Sequence, residues 1–262
     1  MTEDYDLNAG PDPAATAAAA PERVDAEPVY AAGVGPGNPE HLTPRAERAV
    51  AEADVVVGFE TVVEFVAERT DAELLTCGYA DEGETLAAFA DRVADGAAGT
   101  AVLMGDPNFS GYQFLGKVEA AVDRPVRVVP GISSLQVAAS RARTPMEDSE
   151  FVTLHKSGDL EPDRRRLREA VGDRHLLVLP RPYDLMPGDI AADLLDSGAD
   201  DALDALVLER LTHDDEAVTR TTLGQLAARA GGSGPEATPF SDLSVLVVRA
   251  DTDANRAGGS EP

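Results

Sequence analysis

The chain has 262 residues, 43% of them hydrophobic, and a formal net charge of −26. This is enough apolar sequence for one large domain or two smaller ones, while the acidity excludes general binding to nucleic acid or anionic lipid, which need basic surface. Only Lys117 and Lys156 are lysines among the 22 basic residues, and the acidic excess is dispersed, a pattern expected of a protein adapted to very high salt, where self-repulsion is screened.

Residues 1–27 are acidic and rich in Ala and Pro, and read as a disordered tail. They lack the basic segment and apolar core of a secretory signal, and no later apolar run approaches the roughly 20 residues of a membrane span. A cytoplasmic protein is expected. Short apolar runs then alternate with helical patterns. Strands are predicted at 29–34, 54–58, 73–76, 101–104 and 126–129, and helices at 44–53, 59–68, 84–95, 111–121 and 132–142. Thr43 followed by Pro44 is a helix start, with Thr as N-cap and Pro at the first helical position. Cys77, just past the third run, is the only cysteine, which excludes intramolecular disulfides and cysteine-clustered zinc sites. The βαβ rhythm predicts a mainly parallel sheet covered on both faces.

The segment 141–150, with a proline and a charged cluster, breaks this rhythm and is taken as the junction between an N-terminal domain over 28–143 and a C-terminal domain over 144–250. Strands follow at 151–155, 175–180, 205–209, 216–220 and 243–248, with helices at 162–171, 187–196 and 221–230. The short link between 205–209 and 216–220 favours an antiparallel pair. Residues 251–262 read as a second tail.

Three loops stand out. "GVGPGNPEHLTPRA" (33–46) follows the first strand. A dinucleotide fingerprint needs a third glycine, where this chain has Asn38, and Pro36 removes an N–H that a pyrophosphate would want. Asp54 begins the second strand instead of ending it. No Gly-Lys-Ser/Thr follows, which excludes a P-loop. "LMGDPNFSGYQF" (103–114) follows the fourth strand and places Gly105, Asp106 and Pro107 where open α/β sheets bind ligands. "VVPGISSLQ" (128–136) follows the fifth and puts Ser133 and Ser134 at a helix opening, as caps or ligand contacts.

Taken together, these three loops resemble the tetrapyrrole (precorrin) methylase family over about residues 28–249. "DVVVGFE", "PGISSLQVAASRARTPMEDSEFVTLH" and "LERLTHDDEAVTRTTLGQL" are most similar to the cobalt-precorrin-7 (carbon-5) methyltransferases of cobalamin biosynthesis. The resemblance implies two α/β domains with a cofactor cleft between them, usually in a homodimer. It also implies S-adenosylmethionine as cofactor, touching Pro36, Gly105, Asp106, Ser133 and Ser134, with backbone contacts near Leu179–Arg181 and Leu208–Leu211. Relatives often carry an aromatic residue where this chain has Ser110; Tyr112 comes two residues later.

The implied substrate is a cobalt-precorrin, a polycarboxylate, so a locally basic trough is expected. Arg45, Arg141, Arg143, Lys156 and Arg181 are its candidate cations, and His155 is the best polar candidate near the substrate. His41 is expected to face solvent, and His175 and His213 have no motif support. No catalytic triad, paired-carboxylate motif or metal site is visible, which suits a direct methyl displacement that depends on alignment. Other readings stay open: a precorrin methylase of another ring position, a diphthine synthase, a dinucleotide-dependent oxidoreductase, or a non-enzymatic tetrapyrrole-binding protein.

Overall fold

The computed structural model describes residues 27–109, 111–156 and 158–251. The predicted tails over 1–27 and 251–262 lie, apart from Glu27 and Asp251, outside the described residues. So does Ser110.

The apolar runs become two five-stranded sheets, one in each of two compact units that divide between Ser133 and Ser134. In the first unit, Val29–Gly33 (β1), Val55–Phe59 (β2), Glu73–Cys77 (β3), Gly99–Leu103 (β4) and Val126–Val129 (β5) pair in the order β3-β2-β4-β1-β5, all in parallel. The helices are Pro44–Ala51 (α1), Glu60–Glu64 (α2), Glu82–Ala94 (α3) and Tyr112–Ala121 (α4). Strand alternation sends Val56 and Val102 to one face, against Val50, Val62 and Val63. It sends Val55, Val57, Ala101 and Leu103 to the other, against Leu86, Phe89, Leu115 and Val118. Each such side chain contributes about 1.5–3 kcal/mol on full burial, which is why the strands read as continuous apolar runs.

Thr43 caps α1, its Oγ1 accepting the Ala46 N–H at 3.2 Å. The helix predicted over 59–68 is interrupted. It stops after Glu64, and Val66 takes a φ of −116° that lets its side chain reach the core at 1% exposure; a single 3₁₀ turn, Ala67–Arg69, follows.

The second unit contains Ser134–Ala142 (α5), Ser149–Thr153 (β6), Glu161–Ala170 (α6), His175–Leu179 (β7), Pro187–Asp196 (α7), Asp204–Glu209 (β8), Ala217–Thr222 (β9), Leu223–Ala227 (α8) and Ser244–Val248 (β10). Its sheet runs β6-β7-β10-β8-β9. β6 and β7 are parallel; the other pairs are antiparallel, including β8 with β9 across the short link. α5 packs on β7 and β10 of this sheet, so it groups with the second unit, ahead of the compositional break at 141–150. The helix predicted over 221–230 ends at Ala227, because the chain turns to bring the Gly231 and Gly232 N–H groups onto Asp189 Oδ1, at 3.1 and 3.0 Å.

The run "RRRLR" (164–168) is not a bare basic patch. Asp193 accepts from both Arg164 and Arg168, and Glu150 accepts from Arg166. These guanidinium donors hold the Asp193 carboxyl below the usual aspartate range, against the opposing effect of its burial.

Arg143 follows α5 with φ 56°, and Thr144 N–H reaches back to the Ala139 carbonyl at 3.0 Å. This is a helix stop that favours glycine. Arg143→Gly is expected to stabilise the protein by about 1 kcal/mol, read as a higher urea midpoint with unchanged slope. An unchanged or lower midpoint would show that the arginine side chain compensates for its strained backbone.

Candidate functional site

In the first sheet, β4 and β1 are neighbours whose connections leave in opposite directions: β1 leads to β2 beyond β4, and β4 leads to β5 beyond β1. Open α/β sheets bind ligands outside the strand carboxyl ends at such a reversal. The loops after β4, β1 and β5 therefore lie side by side at the expected ligand position, and they are the three loops singled out by sequence.

The structure fastens these loops together through their backbones. Val34 N–H continues the ladder to the Leu103 carbonyl at 2.9 Å. Gly105 N–H then donates to the Gly35 carbonyl at 2.9 Å, and Gly35 N–H to the Gly105 carbonyl at 3.3 Å, an antiparallel bridge between chains that have just left parallel strands. Reversing direction so sharply uses φ 67° at Gly105, which favours glycine. The third loop joins through a side chain. Asp106 Oδ2 accepts the Gly131 N–H at 3.0 Å, while Oδ1 accepts the Asn108 N–H and amide Nδ2 at 2.8 and 3.0 Å. The backbones are so close that a methyl group on Gly131 would sit 2.0 Å from the Gly105 carbonyl oxygen, and one on Gly33 would sit 2.5 Å from that same oxygen. Sequence reading missed this contact. Its signal was a glycine at the end of β1 and a glycine two residues beyond β4 and β5.

This construction selects among ligands. The Gly35, Gly105 and Gly131 N–H groups are spent on protein acceptors. The start of α1 lies beyond a 3₁₀ turn and is already capped by Thr43. No lysine or arginine occurs in residues 34–43, 104–111 or 130–134, which do contain Glu40 and Asp106. Those three N–H groups are not available to a pyrophosphate and the loops supply no lysine or arginine, whereas carbonyl and carboxylate oxygens of the kind that favour a cationic sulfonium are present. Pro36 and Gly105 are buried, Asp106 is half-buried, Ser133 is 9% exposed and Ser134 opens α5. Pro36, Gly105, Asp106 and Ser133 thus belong to one constellation in the first unit, and Ser134 follows it directly.

The candidate cofactor positions of the second unit lie at strand carboxyl ends. Leu179 closes β7, its carbonyl accepting the Leu154 N–H at 2.8 Å. Leu208 is fully buried and lies inside the ladder between β10 and β9. The first backbone beyond that ladder is Arg210–Thr212, and it is unusual: Arg210 has φ 47° and Thr212 φ 73°. Left-handed backbone at non-glycine residues costs on the order of 1–3 kcal/mol each and clusters at functional sites. Leu211, between them, is 4% exposed.

Four of the five predicted trough cations have a partner within the protein. Arg141 donates Nε and Nη2 to Glu216 at 2.6 and 3.2 Å, and this carboxylate raises its pKa. Lys156 lies 2.6 Å from Asp163, Arg181 lies 3.1 Å from Asp184, and Arg45 stacks on Tyr30. Arg141 and Lys156 therefore offer no uncompensated charge to a polyanion. Arg143 is exposed with no carboxylate beside it among the described contacts. His155 keeps an exposed edge, yet surrounding protein desolvates its ring and lowers its pKa, with Asp242 opposing. It is neutral at pH 7 and offers a hydrogen bond. His41, expected at the surface, is half-buried, with Nδ1 shut off from solvent. His175 is a structural group whose Nδ1 accepts the Ala250 N–H at 3.1 Å.

Burial and the acidic Glu82 and Asp81 push the Cys77 thiol up to about 12, so it stays protonated and is no nucleophile. Among the described residues, no group of three or more His, Cys, Asp or Glu is gathered to hold a metal, and no helix is long and apolar enough to cross a membrane.

Fold and site together define an α/β protein with two five-stranded sheets whose switch-point loops lack the third glycine and the cations of a dinucleotide site. The chain belongs to the tetrapyrrole (corrin/porphyrin) methylases, whose family model matches residues 28–227. Membership makes it an S-adenosylmethionine-dependent C-methyltransferase. It is 28% identical over 230 residues, 86% of this chain and 99% of the other, to a probable cobalt-precorrin-7 C(5)-methyltransferase of Methanocaldococcus jannaschii. It is 22% identical to the cobalt-precorrin-4 C(11)-methyltransferase of the same organism, over 80% of this chain and 84% of the other. Among solved structures, the methyltransferase CobJ superposes with a TM-score of 0.69 at 22% identity, over 86% of this chain and 95% of that one.

Proposed function

We propose that this protein methylates carbon 5 of cobalt-precorrin-7 in cobalamin biosynthesis, working in the cytoplasm as a homodimer. The observation that carries the reaction is the junction of the β1, β4 and β5 loops, which has no lysine or arginine, its Gly35, Gly105 and Gly131 N–H groups bonded within the protein and the Asp106 carboxylate among them. The carbon-5 assignment is supported by similarity over 86% of the chain to the Methanocaldococcus jannaschii protein and by the segments 130–155 and 208–226.

When bound, S-adenosylmethionine supplies a methyl group on a sulfonium, and the macrocycle supplies the carbon nucleophile. One C–S bond breaks, one C–C bond forms, sulfur keeps the departing pair as a neutral thioether, and the macrocycle releases a proton. Pro36, Gly105, Asp106, Ser133 and Ser134 are the proposed donor contacts of the switch-point loops, and backbone near Leu179 and from Leu208 to Leu211 is the proposed contribution of the second unit. His155 meets the substrate as a neutral hydrogen-bonding group. The chain's contribution is alignment and exclusion of water, worth about 7–11 kcal/mol when the geometry is right.

Calorimetry in high-potassium buffer, which suits the dispersed acidic charge, tests the cofactor. S-adenosylhomocysteine is expected to bind and NADH not to; NADH binding without S-adenosylhomocysteine overturns the reading. A methylation assay with the product mapped by NMR then tests the substrate. Methylation of another ring carbon keeps the class and overturns the position, and transfer to a protein histidine points to diphthine synthesis.

A further inference from the structure

We infer that Arg141 and Glu216 form a positioning clamp that holds the left-handed Arg210–Thr212 turn and so fixes the backbone at Leu211 for the cofactor. The inference rests on the proposed placement of S-adenosylmethionine against the stretch from Leu208 to Leu211.

Both oxygens of Glu216 are used. Oε1 accepts Arg141 Nε at 2.6 Å; Oε2 accepts Arg141 Nη2 at 3.2 Å and the Thr212 N–H at 2.8 Å. The Thr212 bond reaches the turn at one of its two left-handed residues, φ 73°, a conformation that a β-branched side chain strongly disfavours. Arg141 lies in the last turn of α5, a helix packed on β7 and β10, so the carboxylate is anchored to the body of the sheet. The other end of the turn is fixed separately. Arg210 N–H donates to the Leu243 carbonyl at 2.9 Å, and Arg210 Nε lies 2.7 Å from Asp215. Leu211 is thus stretched between two anchored, strained residues. Neither Arg141 nor Glu216 needs to touch a ligand; they act through the backbone they hold.

This assigns Arg141 a role opposite to that of a trough cation. Charge reversal of a trough residue weakens tetrapyrrole binding and spares the cofactor. Loss of the clamp weakens the cofactor first.

The test compares S-adenosylhomocysteine affinity in wild type, Glu216→Gln, Arg141→Lys and the double variant Glu216→Gln/Thr212→Gly. Glu216→Gln is expected to weaken binding by about tenfold or more, the size of a lost charge-assisted bond, and Arg141→Lys by roughly threefold. The KM for the methyl donor should rise more than the KM for the tetrapyrrole. The double variant should recover most of the affinity, because glycine adopts φ 73° without being held there. A role confined to general stability predicts no such recovery and no split between the two KM values, and that result overturns the clamp. Wild-type affinity in Glu216→Gln overturns it equally. If Glu216→Gln does not fold, Arg141→Lys carries the same decision. A wild-type protein that fails to bind S-adenosylhomocysteine instead removes the cofactor placement beneath the inference.

Discussion

Gly131→Ala is expected to destabilise the protein by about 3 kcal/mol or more and to abolish cofactor binding in whatever folds. Overpacking a core side chain usually costs about 1–3 kcal/mol, because flexible neighbours move aside. Here the new methyl meets backbone: the Gly105 carbonyl oxygen at 2.0 Å and the Gly33 backbone at 2.8 Å. Gly33 closes β1, a central strand, so it cannot retreat without breaking the ladder to β4 and β5. The Gly105 carbonyl is itself bonded to Gly35 N–H. Moving any one loop disturbs the other two. A urea titration measures the loss, with Gly96→Ala as a control: it also replaces a glycine, at φ 104°, but nothing lies within 4 Å of the added methyl. If Gly131→Ala costs no more than Gly96→Ala, the three-loop junction is not as tight as the structure has it.

Asp106→Ala is expected to lower kcat/KM by about 100-fold, the penalty for a displacement near 1 Å at a site that works by alignment. Stability should fall less steeply, by about 1–3 kcal/mol for the Gly131 and Asn108 N–H groups left without their acceptor. Asp106→Asn keeps one carbonyl oxygen, which can serve Gly131 or Asn108 but not both, so it should lie between alanine and wild type. The decisive comparison is between activity and folding. If Asp106→Ala loses stability yet keeps wild-type kcat/KM, the carboxylate is a structural tie only and the first unit's cofactor residues need reassignment.

Element positions were largely legible in the sequence because a strand covered on both faces must be apolar at every position, while its flanking helices repeat at 3.6 residues. Val55–Phe59 shows this directly. Where the sequence misled, tertiary demands outweighed local pattern. Val66 left the helical path to fill the core, and the chain after Ala227 turned away to satisfy Asp189. The candidate site was legible as three loops, but a list of side chains misdescribed how it works. The loop backbones make most of the junction, and Asp106 ties two of the loops together. Arg141 and Lys156 were chosen for charge; their partners Glu216 and Asp163 lie far along the chain or on another element, and no local signal announces such pairs.

By itself, the sequence determined the elements, the exclusion of a phosphate cradle and the family, because these depend on residue type and spacing along the chain. Only the tertiary structure decided that Gly33, Gly105 and Gly131 meet, that the Gly35, Gly105 and Gly131 N–H groups are already spent, and that Glu216 grips a strained turn. Those are contacts between residues remote in sequence, and they exist only once β1 lies between β4 and β5 and α5 lies on its sheet.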